Sequence, residues 1–225
     1  MSVVGPATAV DPIDALGAIG VIPVVVIDDA AQAAPLAEAL MSAGINGAEI
    51  TLRTPAARSA LAVMAAYDGL LVGAGTLLEP QQAAQAAQAA DACARFAVSP
   101  GFDPELLDAC QAQSLPLLLG VATATEIQRV LRAGVRTCKF FPAESCGGLG
   151  ALAALAGPFP GMRFVPTGGI GPSNAAGYLR FPSVHAVAGT WLAPRDLMSE
   201  GRWDLIRQRA AEAAQIVRTR WRAAR

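Results

Sequence analysis

Apolar, β-branched runs alternate with Ala- and Leu-rich stretches along almost the whole chain, and this alternation restricts the fold more than any single motif does. Val21-Ile-Pro-Val-Val-Val-Ile27 is apolar at every position, as expected of a strand buried on both faces of a parallel sheet. Asp28-Asp29 ends it, an amphipathic stretch follows over 30–43, and Gly44 closes the predicted helix. The same unit recurs. Strands are predicted over 47–53, 70–76, 96–101, 116–121, around Lys139, and over 164–169 and 184–189. The helices between them run over 54–66, 79–92, 103–112, 125–133 and 149–156, then from 172 and from 203. Asp11-Pro12 opens a short helix ahead of the first strand, and residues 1–11 read as a loose arm. Eight strand–helix units of roughly 25 residues fit one (β/α)8 barrel, an α/β TIM barrel forming a single domain over 1–225. An open doubly wound sheet would need a Gly-x-Gly-x-x-Gly turn after the first strand, and Val26-Ile27-Asp28-Asp29 has none.

With 53% hydrophobic and 16% charged residues, the chain can bury a large core and has apolar surface left over for an oligomer interface. A net charge of -1 gives no reason to expect nucleic acid or a membrane as partner. The basic run Arg218, Arg220, Arg222, Arg225 reads as a solvated helix end. The four cysteines (Cys93, Cys110, Cys138, Cys146) form no Cys-x-x-Cys pair and His185 is the only histidine, so no metal is expected. No disulfide framework or signal peptide is visible, and a reducing, cytoplasmic setting is the expectation.

Lys139 is the only lysine; every other cationic side chain is an arginine. It sits in an apolar, strand-like run. Burial disfavours the ammonium form, and a neutral amine attacks carbonyls. The bland alternative is a lysine whose stem packs on the surface while its head reaches water. In a barrel, ligands meet the C-terminal ends of the strands. The second strand ends in Glu49, Thr51 and Arg53, which share one parity, with Ile50 and Leu52 facing the other way. A structural Glu49–Arg53 ion pair is the bland reading there. The third strand ends in Gly73-Ala-Gly-Thr76 and the fourth in Ser99-Pro-Gly101. The sixth carries Lys139 with Phe141 on the same face, where the ring would help desolvate the amine. The seventh ends in Thr167-Gly-Gly-Ile170 and the eighth in Ala188-Gly-Thr190, where barrels often bind phosphate through backbone N–H groups. Together these provide an amine for a Schiff base, a carboxylate for proton transfer, a guanidinium for a substrate carboxylate, and an anion nest. The set suits carbon–carbon cleavage beside a keto acid, with no metal and no cofactor.

The runs Gly47-Ala-Glu-Ile-Thr-Leu-Arg-Thr54, Gly73-Ala-Gly-Thr76, Ser99-Pro-Gly101, Lys139-Phe-Phe-Pro-Ala-Glu144 with Gly147-Gly148, Gly157-Pro158 and Pro166-Thr-Gly-Gly-Ile170 resemble the 2-keto-3-deoxy-6-phosphogluconate aldolases. Many of these are also 4-hydroxy-2-oxoglutarate aldolases. The resemblance extends from about Ile19 to the last helix. It implies Lys139 as the Schiff-base lysine and Glu49 as general acid/base. Arg53 and Thr76 would hold the pyruvate carboxylate, with Pro100 and Phe141 lining the site. Thr167, Gly168, Gly169, Gly189 and Thr190 would receive the hydroxyls and phosphate of the longer substrate. A homotrimer is implied, in line with the apolar surplus.

Two departures from the family pattern carry expectations. Val187-Ala-Gly-Thr-Trp191 stands where Gly-Gly-Ser-Trp is usual, so Ala188 would place a methyl beside the phosphate. Gly120-Val-Ala-Thr-Ala-Thr-Glu126 stands where Ser-Thr is usual, so a hydroxyl near the substrate would be missing. Thr167 matches the gluconate-type substrate better than its galactonate counterpart. The alternatives are the same imine chemistry on 4-hydroxy-2-oxoglutarate, decarboxylation of oxaloacetate, and, remotely, a non-catalytic trimeric scaffold.

Overall fold

A computed structural model describes residues 10–87 and 94–223, with side chains up to 219. Residues 1–9 of the predicted arm, the second half of the predicted helix over 79–92, Cys93 and the basic groups from Arg220 onward lie outside the residues whose side chains are described. In chain order the strands are β1 (Val21–Val25), β2 (Gly47–Thr51), β3 (Leu71–Gly75), β4 (Phe96–Val98), β5 (Leu117–Leu118), β6 (Gly120–Val121), β7 (Thr137–Phe140), β8 (Arg163–Pro166) and β9 (Val187–Gly189). The helices are α1 (Pro12–Ile19), α2 (Ala33–Ser42, after a 3-10 turn at Ala30–Gln32), α3 (Ala57–Ala65), α4 (Gln81–Ala87), α5 (Pro104–Ala112), α6 (Ala124–Arg132), α7 (Gly148–Ala156), α8 (Ala175–Arg180), α9 (Arg195–Ser199) and α10 (Trp203–Ala223).

Every strand pairing is parallel. One six-stranded sheet has the order β5-β4-β3-β2-β1-β9, and a three-stranded sheet has the order β6-β7-β8. The predicted fifth strand is thus divided at Leu119 between the two sheets, although the Leu119 carbonyl still accepts from Lys139 N at 2.8 Å. Isolated parallel bridges at Phe164↔Val184 and Thr167↔Ala188 link β8 and its end to the β9 segment. The architecture is an α/β fold built on parallel strands, in which every strand but β5 is followed by a helix or a helical turn. The short α9 was not foreseen; the Arg195 guanidinium anchors its start to the Asp28 carboxylate after β1, with Nε and Oδ2 2.8 Å apart.

Strand alternation sorts the core into two clusters. Val21, Val25, Ile50, Val72, Ala74, Cys138, Phe140, Phe164 and Val187 face the helices. Ile22, Val24, Phe96, Val98, Leu118, Val165, Ala186 and Ala188 face the other way and form a separate cluster with Ile13 and Leu16 of α1. Helix α1 therefore packs on the inner faces of the strands. Its entry is fixed by the Asp11 carboxylate, which accepts from Ile13 N at 2.7 Å, the cap expected from Asp-Pro. His185 Nε2 lies 2.9 Å from the Ile13 carbonyl. Its ring fills the space beside Gly17, where a Cβ would come within 2.3 Å of His185 Cε1. Among the described residues, no helix is long and apolar enough to cross a membrane.

This contact gives a stability test. Alanine is the better helix former by about 1 kcal/mol, yet Gly17→Ala should lower the melting temperature because the methyl displaces the His185 ring. The double variant Gly17→Ala/His185→Ala should be less destabilised than the sum of the two singles, a non-additivity that thermal melts would read.

Candidate functional site

The C-terminal ends of the strands surround a cavity of about 310 Å³. Its floor is set by β2 and β7. On β2 the parity predicted from sequence holds: Glu49, Thr51 and Arg53 all line the cavity, while Ile50 packs into the outer cluster. On β7, Lys139 lines the cavity, while its neighbours Cys138 and Phe140 point outward into the core. Burial pushes the Cys138 thiol up to about 12, so no thiolate competes with the adjacent amine at neutral pH.

Lys139 is 6% exposed and Glu49 2%. Lys139 Nζ donates to Glu49 Oε1 at 3.4 Å. It also lies 5.4 Å from the centre of the Phe141 ring, within the range of an ammonium–ring attraction. The surface-lysine alternative is thereby removed, and so is the Glu49–Arg53 pair. Arg53 is exposed at the cavity and belongs to none of the ion pairs among the described residues. Gly75, directly opposite Thr51 in β3, makes room for the carboxylate, since a Cβ there would meet Glu49 Oε1 at 2.3 Å. Thr76, the next residue, turns the chain with φ +63, a conformation costly for a β-branched side chain. Thr51 itself is buried, and its hydroxyl donates to the Val25 carbonyl at 2.8 Å.

The remaining wall comes from later strands. Pro100 follows β4; Thr167, Gly168, Gly169 and Ile170 follow β8; Gly189 ends β9 and Thr190 follows it. Gly168 and Gly169 have φ of +96 and +77, which side chains other than glycine rarely adopt. Their carbonyls are held from outside the cavity. Gly168 O accepts from Glu144 N at 3.1 Å, and Gly169 O accepts from Asn174 Nδ2 at 3.0 Å. At Gly189, a Cβ would strike the Trp191 ring at 2.4 Å.

Each residue singled out from sequence, namely Lys139, Glu49, Arg53, Thr76, Pro100, Phe141, Thr167, Gly168, Gly169, Gly189 and Thr190, lies on this one cavity. Val24, Thr51 and Ile170 also line it and were not selected. Parity already placed Thr51 on the face of Glu49, though with no role, whereas Val24 sits in a run that is apolar at every position and offers no such signal. The two departures from the family pattern fall elsewhere than expected. Ala188 is buried in the inner cluster and does not line the cavity: it pairs with Ile22 of β1 and sits deeper along the strand than Gly189 and Thr190, which do line it. The fifth strand contributes no side chain to the cavity. Thr123 is instead the cap of α6, where its Oγ1 accepts from Glu126 N at 3.3 Å and Glu126 Oε2 accepts from Thr123 N at 2.9 Å.

A buried amine beside a carboxylate, an unpaired guanidinium at the rim and a glycine-rich wall can form an imine, move a proton and hold an anion. The comparisons with known proteins point the same way. Residues 13–209 match the family model "Aldolase: KDPG and KHG aldolase". The KHG/KDPG aldolase of Escherichia coli K12 is 42% identical over 196 residues, covering 87% of this chain and 91% of that protein. A KDPG aldolase from Legionella pneumophila, solved with pyruvate captured at low pH as a covalent carbinolamine intermediate, superposes with a TM-score of 0.84 at 42% identity, covering 88% of this chain and 96% of that one. The 2-keto-3-deoxy-6-phosphogluconate aldolase of Zymomonas mobilis ZM4 with 3-phosphoglycerate gives a TM-score of 0.83 at 42% identity, over 91% and 96% of the two chains. On this sequence match, carried across most of the chain and across the fold, the protein belongs to the KDPG and KHG aldolase family.

Proposed function

We propose that the protein is a class I aldolase that splits 2-keto-3-deoxy-6-phosphogluconate into pyruvate and glyceraldehyde 3-phosphate. The observation that carries this reading is the buried 3.4 Å contact between Lys139 Nζ and Glu49 Oε1 on the floor of the cavity. Family membership supports it, as does the covalent pyruvate adduct of the Legionella relative.

Lys139 attacks the C2 ketone with Glu49 as proton shuttle: Glu49 takes a proton from the amine and passes it to the carbinolamine hydroxyl, which leaves as water to give an iminium. Glu49 takes the C4 hydroxyl proton, directly or through a water. The C3–C4 bond breaks, its electron pair moves into the iminium to form an enamine, and the aldehyde departs. The enamine takes a proton at C3, and hydrolysis returns pyruvate and the free amine. The iminium is the electron sink, so the scheme calls for no metal and no organic cofactor. Arg53 and Thr76 hold the carboxylate of the keto acid, and Pro100 and Phe141 shield the reacting carbons. Thr167, Gly168, Gly169, Gly189 and Thr190 receive the hydroxyls and the phosphate. The same cavity would accept 4-hydroxy-2-oxoglutarate, a reading favoured by the double substrate in the matched family's description.

The architecture we propose around this site is one closed eight-stranded barrel and a single domain. Its support is the Thr167↔Ala188 bridge at one seam and the continuity of the chain through Leu119 at the other. A homotrimer in a reducing, cytoplasmic setting completes the proposal. Light scattering would test the trimer.

Incubation with pyruvate followed by borohydride reduction should leave a pyruvyl adduct on Lys139, read by peptide mass, and Lys139→Arg should abolish both adduct and turnover. An unmodified Lys139 would overturn the imine mechanism. Glu49→Gln, close in shape to the native side chain, should lower kcat by about 100- to 10,000-fold. Gly75→Ala should displace the Glu49 carboxylate and cost about a hundredfold in kcat, the usual effect of a misplacement near 1 Å.

A further inference from the structure

Tyr178 of α8 is only 2% exposed. A phenylalanine would fill the same space without the cost of burying a hydroxyl, so the hydroxyl needs a reason. It donates to Glu144 Oε1, on the loop that follows β7. Neither residue lines the cavity, and the mechanism above uses neither. Glu144 nevertheless touches the part of the wall where the phosphate would sit. Its backbone N–H donates to the Gly168 carbonyl at 3.1 Å. Its side-chain stem lies directly behind Gly169, where a Cβ would come within 2.6 Å of Glu144 Cβ and Cγ. Its carboxylate sits at the N-terminus of α7, 3.1 Å from the position of a Cβ on Gly148, where the helix dipole favours a negative charge.

The turn at Gly168 and Gly169 is therefore clamped from two sides. Glu144 braces it from the β7 loop, and Asn174, at the start of α8, holds the Gly169 carbonyl and accepts from Gly171 N at 2.8 Å. The Tyr178–Glu144 bond ties these two supports together. Without it, the Glu144 stem is free to swing and the turn loses its backing, while Lys139 and Glu49 stay fixed by β7 and β2.

We infer that Tyr178 and Glu144 are positioning residues that hold the Gly168–Gly169 turn and thereby set the preference for a substrate with an anionic phosphate at its far end. This rests on the aldolase reading given above. They act on recognition of the far end and not on imine formation.

The test compares the phosphorylated sugar acid with 4-hydroxy-2-oxoglutarate, which lacks the phosphate. Tyr178→Phe keeps the ring and removes only the hydroxyl. KM for the phosphorylated substrate should rise about tenfold, with kcat and the efficiency on 4-hydroxy-2-oxoglutarate both changing by less than about twofold. Glu144→Ala, at an exposed position, should reproduce the effect. Glu144→Gln, which keeps an acceptor oxygen, should recover most of the native preference. An equal loss on both substrates, or an unchanged ratio in both Tyr178→Phe and Glu144→Ala, would overturn the inference. If the native protein forms no pyruvate adduct and cleaves neither substrate, it is the aldolase reading that fails, so the two failures are distinct.

Discussion

An amine and a carboxylate held 3.4 Å apart below the surface require support from every neighbouring element. Taking two charges out of water costs several kcal/mol each, and apolar replacement of such a pair is often neutral or stabilising. Stability alone is thus a poor reason to keep Lys139 and Glu49, and chemistry is a good one. The surroundings follow from the pair. β2 must present Glu49 inward, Gly75 must lack a side chain, and the Phe141 ring must cover the amine. Removing one partner would leave a buried charge uncompensated, at a cost of about 3–5 kcal/mol, so the pair also makes its two strands mutually dependent.

The alternation of side chains along each strand supplies the rest of the design. Outward positions interlock with the helices and inward positions make a smaller apolar cluster floored by α1. Along β2 the inward side changes from small and apolar to polar within one strand, so the reactive groups lie above a dry base. An amine there meets its substrate with few competing water molecules, the condition under which electrostatic contacts are strongest.

Much of this was legible in the chain because it depends on local rules. The parallel-strand character of Val21–Val25, the parity of Glu49 and Arg53, the Asp11 cap and the glycine turns follow from periodicity and backbone sterics over a few residues. What escaped depends on distant partners. The division of the fifth strand at Leu119 comes with the close passage of the Pro100 carbonyl over Gly120, an approach no local pattern encodes. Ala188 was expected at the phosphate and is in the inner cluster, because it pairs with Ile22 below the strand ends, a depth that only the sheet register fixes. Val24 faces the cavity from a run without polar markers. The Tyr178–Glu144 bond joins residues 34 apart, on elements whose meeting only the fold determines.

The sparing use of lysine acquires a meaning once its burial is known. The sequence has one side-chain amine, and that amine is at the bottom of a pocket. The rest of the positive charge is carried by guanidinium groups, which form no Schiff bases with simple aldehydes and monoketones under mild conditions. Reducing sugars that slowly glycate exposed lysine side chains would therefore find no such target over the body of this protein. A carbonyl compound that does engage a lysine must first fit the cavity, so shape selects among carbonyls before chemistry does.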